Sequence, residues 1–261
     1  MIFILIATAE LLVDRGAYGN ELVDKFSSPI AVGDFEAGFS TNMWILDSRI
    51  YSLFASRGRF VGYVSYYDLG TFTYRNEYPD DSAWVEFSPY SIYAALAYRF
   101  YPERNMYMSI RAGYYENRVM EEIVSSLVLD VDARVDIRHG HLIAYFHNFN
   151  PLTFFKGGLL KLPYSMGAGV STWWKRLSII AGVKKIKDRN LEKFLSLSYA
   201  INSIFYAGVS FTPDLEYSRF SFTMGFRKGR LGLIYRGFFP ATNLDFASVI
   251  TLEYNYASSG F

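Results

Sequence analysis

Few residues in this chain have types and spacings that could carry out chemistry. There are three histidines and no cysteine, which excludes thiolate nucleophiles, disulfides and cysteine-ligated metals. His139 and His141 flank Gly140 with Asp136 close by, and these are zinc-competent ligand types. They fall in a short polar stretch that reads as a tight turn, where such residues serve solvation. His147 beside Asn148 places a base next to an orienting amide, but no serine motif accompanies them. Asp80-Asp81 offers paired carboxylates, yet in a long connection such a pair is ordinarily a solvated one. Phosphate-cradling glycine motifs are absent. The expectation is a chain with no catalytic residue, no cofactor and no metal site, and not an enzyme.

The charged residues are more informative as part of a strand. In "SSLVLDVDARVDIRHGHLIAYFHNF" (125–149), Leu127, Leu129, Val131, Ala133, Val135 and Ile137 alternate with Val128, Asp130, Asp132, Arg134, Asp136 and Arg138. A period of two puts these sets on opposite faces of a strand. The same alternation recurs at 106–115, 205–212, 219–227 and 250–256. Each of these segments has one wholly apolar face. The other face mixes Gly, Ser, Thr, Tyr, Arg and Asp, as the lumen of a membrane barrel does, whereas the outer face of a soluble sandwich carries more Lys and Glu.

Composition points the same way. Aromatic residues make up 19% of the chain and charged residues 20%, with mean hydropathy +0.08, a balance suited to two apolar environments. A net charge of +1 gives no electrostatic basis for binding nucleic acid. No uninterrupted apolar run reaches the ~18 residues of a membrane-spanning helix, so any crossing must be made by strands. Short links at 56–59, 101–105, 138–140, 174–176, 202–203 and 227–230 alternate with longer ones at 69–89, 116–122, 149–162, 187–190, 213–217 and 238–244. With a first strand near 33–43 and a last near 245–256, the expectation is an all-β transmembrane antiparallel β-barrel of about fourteen strands. Both chain ends then lie on the short-turn side. Doublets such as Tyr66-Tyr67, Phe100-Tyr101, Trp173-Trp174 and Phe238-Phe239 fall near segment ends, as interfacial girdles do. A soluble all-β protein is the weak alternative.

Three stretches carry a family resemblance: "RGAYGNELVDKFSSPIAVG", "GRFVGYVSYYDLGTFTYRNE" and "GHLIAYFHNFN…KLPYSMGAGVS". They resemble the fatty-acid-transporter-like (FadL-type) bacterial outer-membrane barrels, in the branch that includes PorV and PorQ. The resemblance implies a fourteen-stranded barrel with a short N-terminal segment in the lumen. It implies an outer-membrane channel or transporter for small or hydrophobic molecules, or alternatively a non-conducting structural or secretion-system barrel. The expected organisation is a signal-peptide remnant at 1–9, an N-terminal luminal segment at 10–32 and the barrel at 33–261. Arg99, Arg111, Asp130, Asp132, Arg134, Asp136, Arg138, Arg219, Arg227 and Glu253 are the expected lumen lining. Trp84, Phe87, Phe154 and Phe155, in two unusually apolar connections, are candidates for ligand entry. The partners this implies are outer-membrane lipid and either a hydrophobic ligand or a secretion-system protein, with no nucleic acid.

Overall fold

Backbone pairing runs around the chain without a free edge. The computed structural model describes residues 35–43, 48–75, 84–119, 122–155, 164–187, 190–212, 218–240 and 247–256. The expected remnant at 1–9 and luminal segment at 10–32 lie outside them. The strands are β1 (Phe35–Met43), β2 (Arg49–Arg57), β3 (Phe60–Asp68), β4 (Phe72–Arg75), β5 (Trp84–Phe87), β6 (Tyr90–Glu103), β7 (Met106–Val119) and β8 (Glu122–Ile137). They continue as β9 (Gly140–Phe155), β10 (Ser165–Trp174), β11 (Leu177–Ile186), β12 (Leu191–Ala200), β13 (Phe205–Phe211), β14 (Ser218–Lys228), β15 (Leu231–Pro240) and β16 (Ala247–Tyr256). All but β4 and β5 form one closed antiparallel barrel of 14 strands, sealed where β1 pairs β16. The expected fold class and strand number are met.

Polarity decides which side of the wall is which. Leu53, Leu96, Leu127, Val209 and Leu252 are exposed on the outer face, while Ser52, Arg111, Asp130 and Thr251 are buried on the inner one. This inverts the arrangement of a water-soluble barrel, whose apolar side chains fill the interior. The aromatic doublets split accordingly, because neighbours on a strand point opposite ways. Tyr66 and Phe239 are exposed while Tyr67 and Phe238 are buried.

Three of the expected connections are corrected. Strand β7 runs to Val119 and β8 begins at Glu122, so most of 116–122 is strand. Likewise β9 runs to Phe155 and pairs Phe154 with Ser125 and Phe155 with Val124. Phe154 and Phe155 are therefore strand residues, not part of a loop over 149–162. At 14 and 16 residues, β6 to β9 exceed the ~9–11 that cross an apolar layer, so this side of the wall is taller. The connection 69–89 is not plain loop either, since it contains the hairpin β4–β5.

Inside the wall, aromatic rings lie over glycines on adjacent strands. A Cβ at Gly225 would stand 1.9 Å from the Tyr206 ring, and one at Gly167 2.4 Å from Tyr145. The glycine makes a seat for the ring on the next strand. On the other side of the lumen's perimeter, Phe54, Tyr63, Tyr67, Tyr93, Tyr115 and Val128 form a buried cluster on β2, β3, β6, β7 and β8. Hydroxyls between them are shared, with Tyr63 Oη 2.9 Å from Ser65 Oγ and Ser65 Oγ 2.6 Å from Ser52 Oγ.

Spin labels at Leu127, Leu129, Val131 and Ile137 in the reconstituted protein should be relaxed by oxygen, and a label at Ser126 should not show that preference. The opposite pattern would reverse the two faces. Gly225→Ala should lower the unfolding midpoint by the equivalent of ~1–3 kcal/mol through overpacking against Tyr206, and Tyr206→Ala in the same chain should recover part of that loss.

Candidate luminal site

The charged face of β8 points inward, and its carboxylates are engaged one after another. Asp130 is 0% exposed and pairs with Arg111, which lies directly opposite it on β7. Its other oxygen, Oδ1, accepts the backbone N–H of Asn148 at 2.6 Å. Two strand residues further on, Asp132 Oδ1 meets His147 Nε2 at 2.6 Å, and the His147 ring stacks on Tyr145 at 4.5 Å. Near the short-turn rim, Asp136 Oδ1 accepts Arg134 Nε at 2.8 Å and meets His141 Nδ1 at 2.6 Å. Arg134 also lies over the Tyr107 ring at 5.1 Å, and His141 lies 4.8 Å from the Trp173 ring.

Strand β9 bends to make these contacts. Its pairing with β8 shifts twice, between Leu127 and Leu129 and between Leu129 and Val131. Each shift adds a residue to β9, giving two bulges. Asn148 stands at φ 60, a left-handed conformation that asparagine tolerates better than most residues. Pro151, which has no N–H to give to a ladder, falls in the other bulge. The Asn148 side-chain amide is buried, and Asn150 Nδ2 donates to the Asn148 carbonyl at 3.0 Å. Asp130 thus neutralises Arg111 and also receives a backbone donor that the bulge removes from the sheet.

The other expected lining residues are distributed as follows. Arg99 is buried on the inner face of β6, opposite Ser109, which in turn faces Asp132. Arg138 lies in the turn 138–139 and Arg227 near the end of β14, both exposed at the rim. Arg219 and Glu253 belong to β14 and β16, with their side chains outside the described residues. Of the entry candidates, Phe87 stacks on Phe72 across the β4–β5 hairpin at 5.7 Å. Trp84 pairs Arg75 in the same hairpin through its backbone. Its side chain and those of Phe154 and Phe155 lie outside the described residues, so no shared surface among the four is described.

The partners of the β8 carboxylates, His141, His147 and Asn148, are not among the residues expected to line the lumen. His139 lies in the exposed turn, and among the described residues no three His, Asp or Glu side chains converge on a metal position. Two further charged residues lie outside the expected lining: Lys184 and Glu192 are buried on inner faces and stand opposite each other in register on β11 and β12. A signal for the bulges was present in "FHNFNP", where two polar residues in a row break the alternation.

No protein-family model matches the chain, and no curated protein does. Among solved structures, the chain is similar to the toluene transporter TodX of Pseudomonas putida. One structure of TodX gives a TM-score of 0.56 at 9% identity over 90% of this chain and 92% of that one. A second gives 0.55 at 8% identity over 86% and 90%. A FadL homologue of Pseudomonas aeruginosa gives 0.48 at 10% identity over 85% and 89%. At such identities the likeness is one of fold.

Removing one member of the buried pair should cost far more than replacing both. Asp130→Ala leaves Arg111 buried beside a gap and an unpaired bulge N–H, a loss of ~3–5 kcal/mol. The double variant Arg111→Met/Asp130→Leu should recover a substantial part of it. Denaturant midpoints of the folded gel band measure both, and equal losses in the single and double variants would show that the pair is not coupled.

Proposed function

We propose that the chain is an outer-membrane channel or transporter for small or hydrophobic molecules. The observation that carries this reading is the inner surface of β10, β12 and β13. Gly169, Ser196, Ser198, Gly208 and Ser210 are small, inward-facing and half-buried, so that sector of the lumen keeps accessible polar surface. It lies next to the charged wall of β8 and β9. An apolar outer face around a polar interior suits a bilayer, and the outer membrane is the compartment that houses closed barrels of this type. The fold likeness to a toluene transporter supports the hydrophobic end of the substrate range. On this reading Trp84, Phe87, Phe154 and Phe155 serve entry of an apolar ligand, with the Phe72–Phe87 stack as its described part.

A second reading, a non-conducting structural or secretion-system barrel of the PorV kind, is favoured by one observation. The cluster of Phe54, Tyr63, Tyr93 and Tyr115 packs one side of the lumen without accessible space. Reconstitution separates the two readings. A channel gives discrete conductance steps in planar bilayers and admits toluene into vesicles. A heat-modifiable barrel that does neither supports the structural reading. Phe72→Ser/Phe87→Ser should slow toluene entry several-fold with conductance unchanged, whereas unchanged entry would remove the hairpin from the route.

A further inference from the structure

The outer wall has a groove that an evenly packed barrel surface would not show. It is an open apolar concavity of about 970 Å³ centred on β1, β2, β3, β6 and β7, with margins that reach Leu127 of β8, Leu231 of β15 and Leu252 and Tyr254 of β16. Its floor follows from residue size and register. Ala37 faces Ala55, Ala55 faces Gly62, Gly62 faces Leu96, and Leu96 faces Ala112. Four of these five have a side chain no larger than methyl, and all lie on the outward face. The next row along the strands is bulky, with Phe39, Leu53 and Val64 in register and exposed. The row on the other side has Phe35, Phe60 and Tyr98, also exposed. Small residues between two large rows make a channel in the surface. Five adjacent strands span roughly 19 Å, about the length of an extended fatty acyl chain.

One end of this groove is cationic. Arg57 lies between Phe35 and Phe60 in the register of the lower row and is exposed. The turn beyond it, Gly58-Arg59, stands at φ 57 on the glycine, and Arg59 Nη1 donates to Tyr98 Oη at 3.2 Å. The opposite margin repeats the pattern. Lys228 faces Leu231, which lines the groove, and is followed by Gly229 at φ 60 and by exposed Arg230. Two basic turns therefore bracket the apolar groove at the short-turn rim. Among the described residues, neither Arg57 nor Lys228 forms an ion pair. The neighbouring turn adds Arg104 together with the carboxylate of Glu103.

We propose that this groove binds an anionic phospholipid, with an acyl chain over Ala37, Ala55, Gly62 and Ala112 and the phosphate at the basic short-turn rim that carries Arg57 and Lys228. An apolar body with a single anionic end matches both the apolar floor and the one-sided charge. A second copy of the chain would present its own basic turns to the same rim and would meet repulsion there. The inference rests on the reading of the chain as a membrane barrel.

The test uses the full chain, purified in detergent and stripped of lipid, then titrated with phosphatidylglycerol or phosphatidylcholine and examined by native mass spectrometry. The wild type should retain phosphatidylglycerol in preference to phosphatidylcholine. Arg57→Ser/Lys228→Ser should weaken phosphatidylglycerol about twenty-fivefold, each basic residue near an anionic lipid surface contributing about fivefold. Because both positions are exposed, heat-modifiability should be unchanged. Ala55→Leu/Ala112→Leu fills the floor and should weaken both lipids alike. Equal retention of the two lipids, equal retention by the charge variant, or dimers in place of lipid adducts would each overturn the site. A heat-modifiable barrel that keeps no phosphatidylglycerol overturns the site and leaves the membrane reading standing. A chain that stays monomeric in buffer without detergent overturns both.

Discussion

Closure of the sheet is the constraint on which the other features depend. A wall that is apolar on its outer face cannot leave a row of backbone N–H and C=O groups unpaired at an edge, because each would lack water to replace the lost partner. Pairing β1 with β16 from Phe35↔Tyr256 to Met43↔Ser248 removes the edge altogether. Once closed, the sheet has only two faces, and the period of two assigns every side chain to one of them. The polar residues then have nowhere to go but inward, where they must pair with each other. The hydroxyl-sharing Ser52, Tyr63 and Ser65 and the charge pairs of β7 to β9 are consequences of that confinement.

Confinement also explains why β9 is irregular. A carboxylate at Asp130, directly opposite Arg111, has a second oxygen that needs a donor. A regular β9 would commit all its N–H groups to the ladder or point them away. The bulge at Asn148 frees one N–H and aims it at Asp130. Burying the pair without that donor would leave the desolvation of the carboxylate less well compensated. The local loss of sheet regularity and the burial of charge are two sides of one arrangement, and the left-handed asparagine belongs to it.

What could be read from the sequence follows from the same physics. Strand β8 was legible because its alternation is unbroken from Leu127 to Arg138 and its two faces differ sharply in polarity. The short turns were legible from their Gly and Arg residues, and the strand number from the alternation of link lengths. Strand β9 was not legible past His147, because each inserted residue flips the inside-outside register and the apolar run "PLTFF" then reads as loop. The cross-strand partners of the β8 carboxylates were hidden for a different reason. His147 stands two residues past Tyr145, the register partner of Asp132, and only the pairing of β8 with β9 brings the two side chains to 2.6 Å. The groove was hidden in the same way, since Ala37, Ala55, Gly62 and Ala112 are unremarkable singly and become a floor only when five strands, β1, β2, β3, β6 and β7, align.

The pairing of the luminal charges bears on where a solute could pass. Asp130 is taken up by Arg111 and the Asn148 N–H, Asp132 by His147, and Asp136 by Arg134 and His141. Charges held in this way are poor binding groups for a transient ion, because engaging the ion means giving up a desolvated partner. They stiffen the tall wall of β6 to β9 instead. The accessible inner surface lies elsewhere, on the glycines and serines of β10, β12 and β13, where Lys184 and Glu192 of β11 and β12 are the buried charges. A pathway along that sector would meet fewer charges than one along β8 and β9 and would tolerate an apolar solute better. The ladder that first marks this chain as unusual is therefore better understood as the frame of the lumen than as its filter.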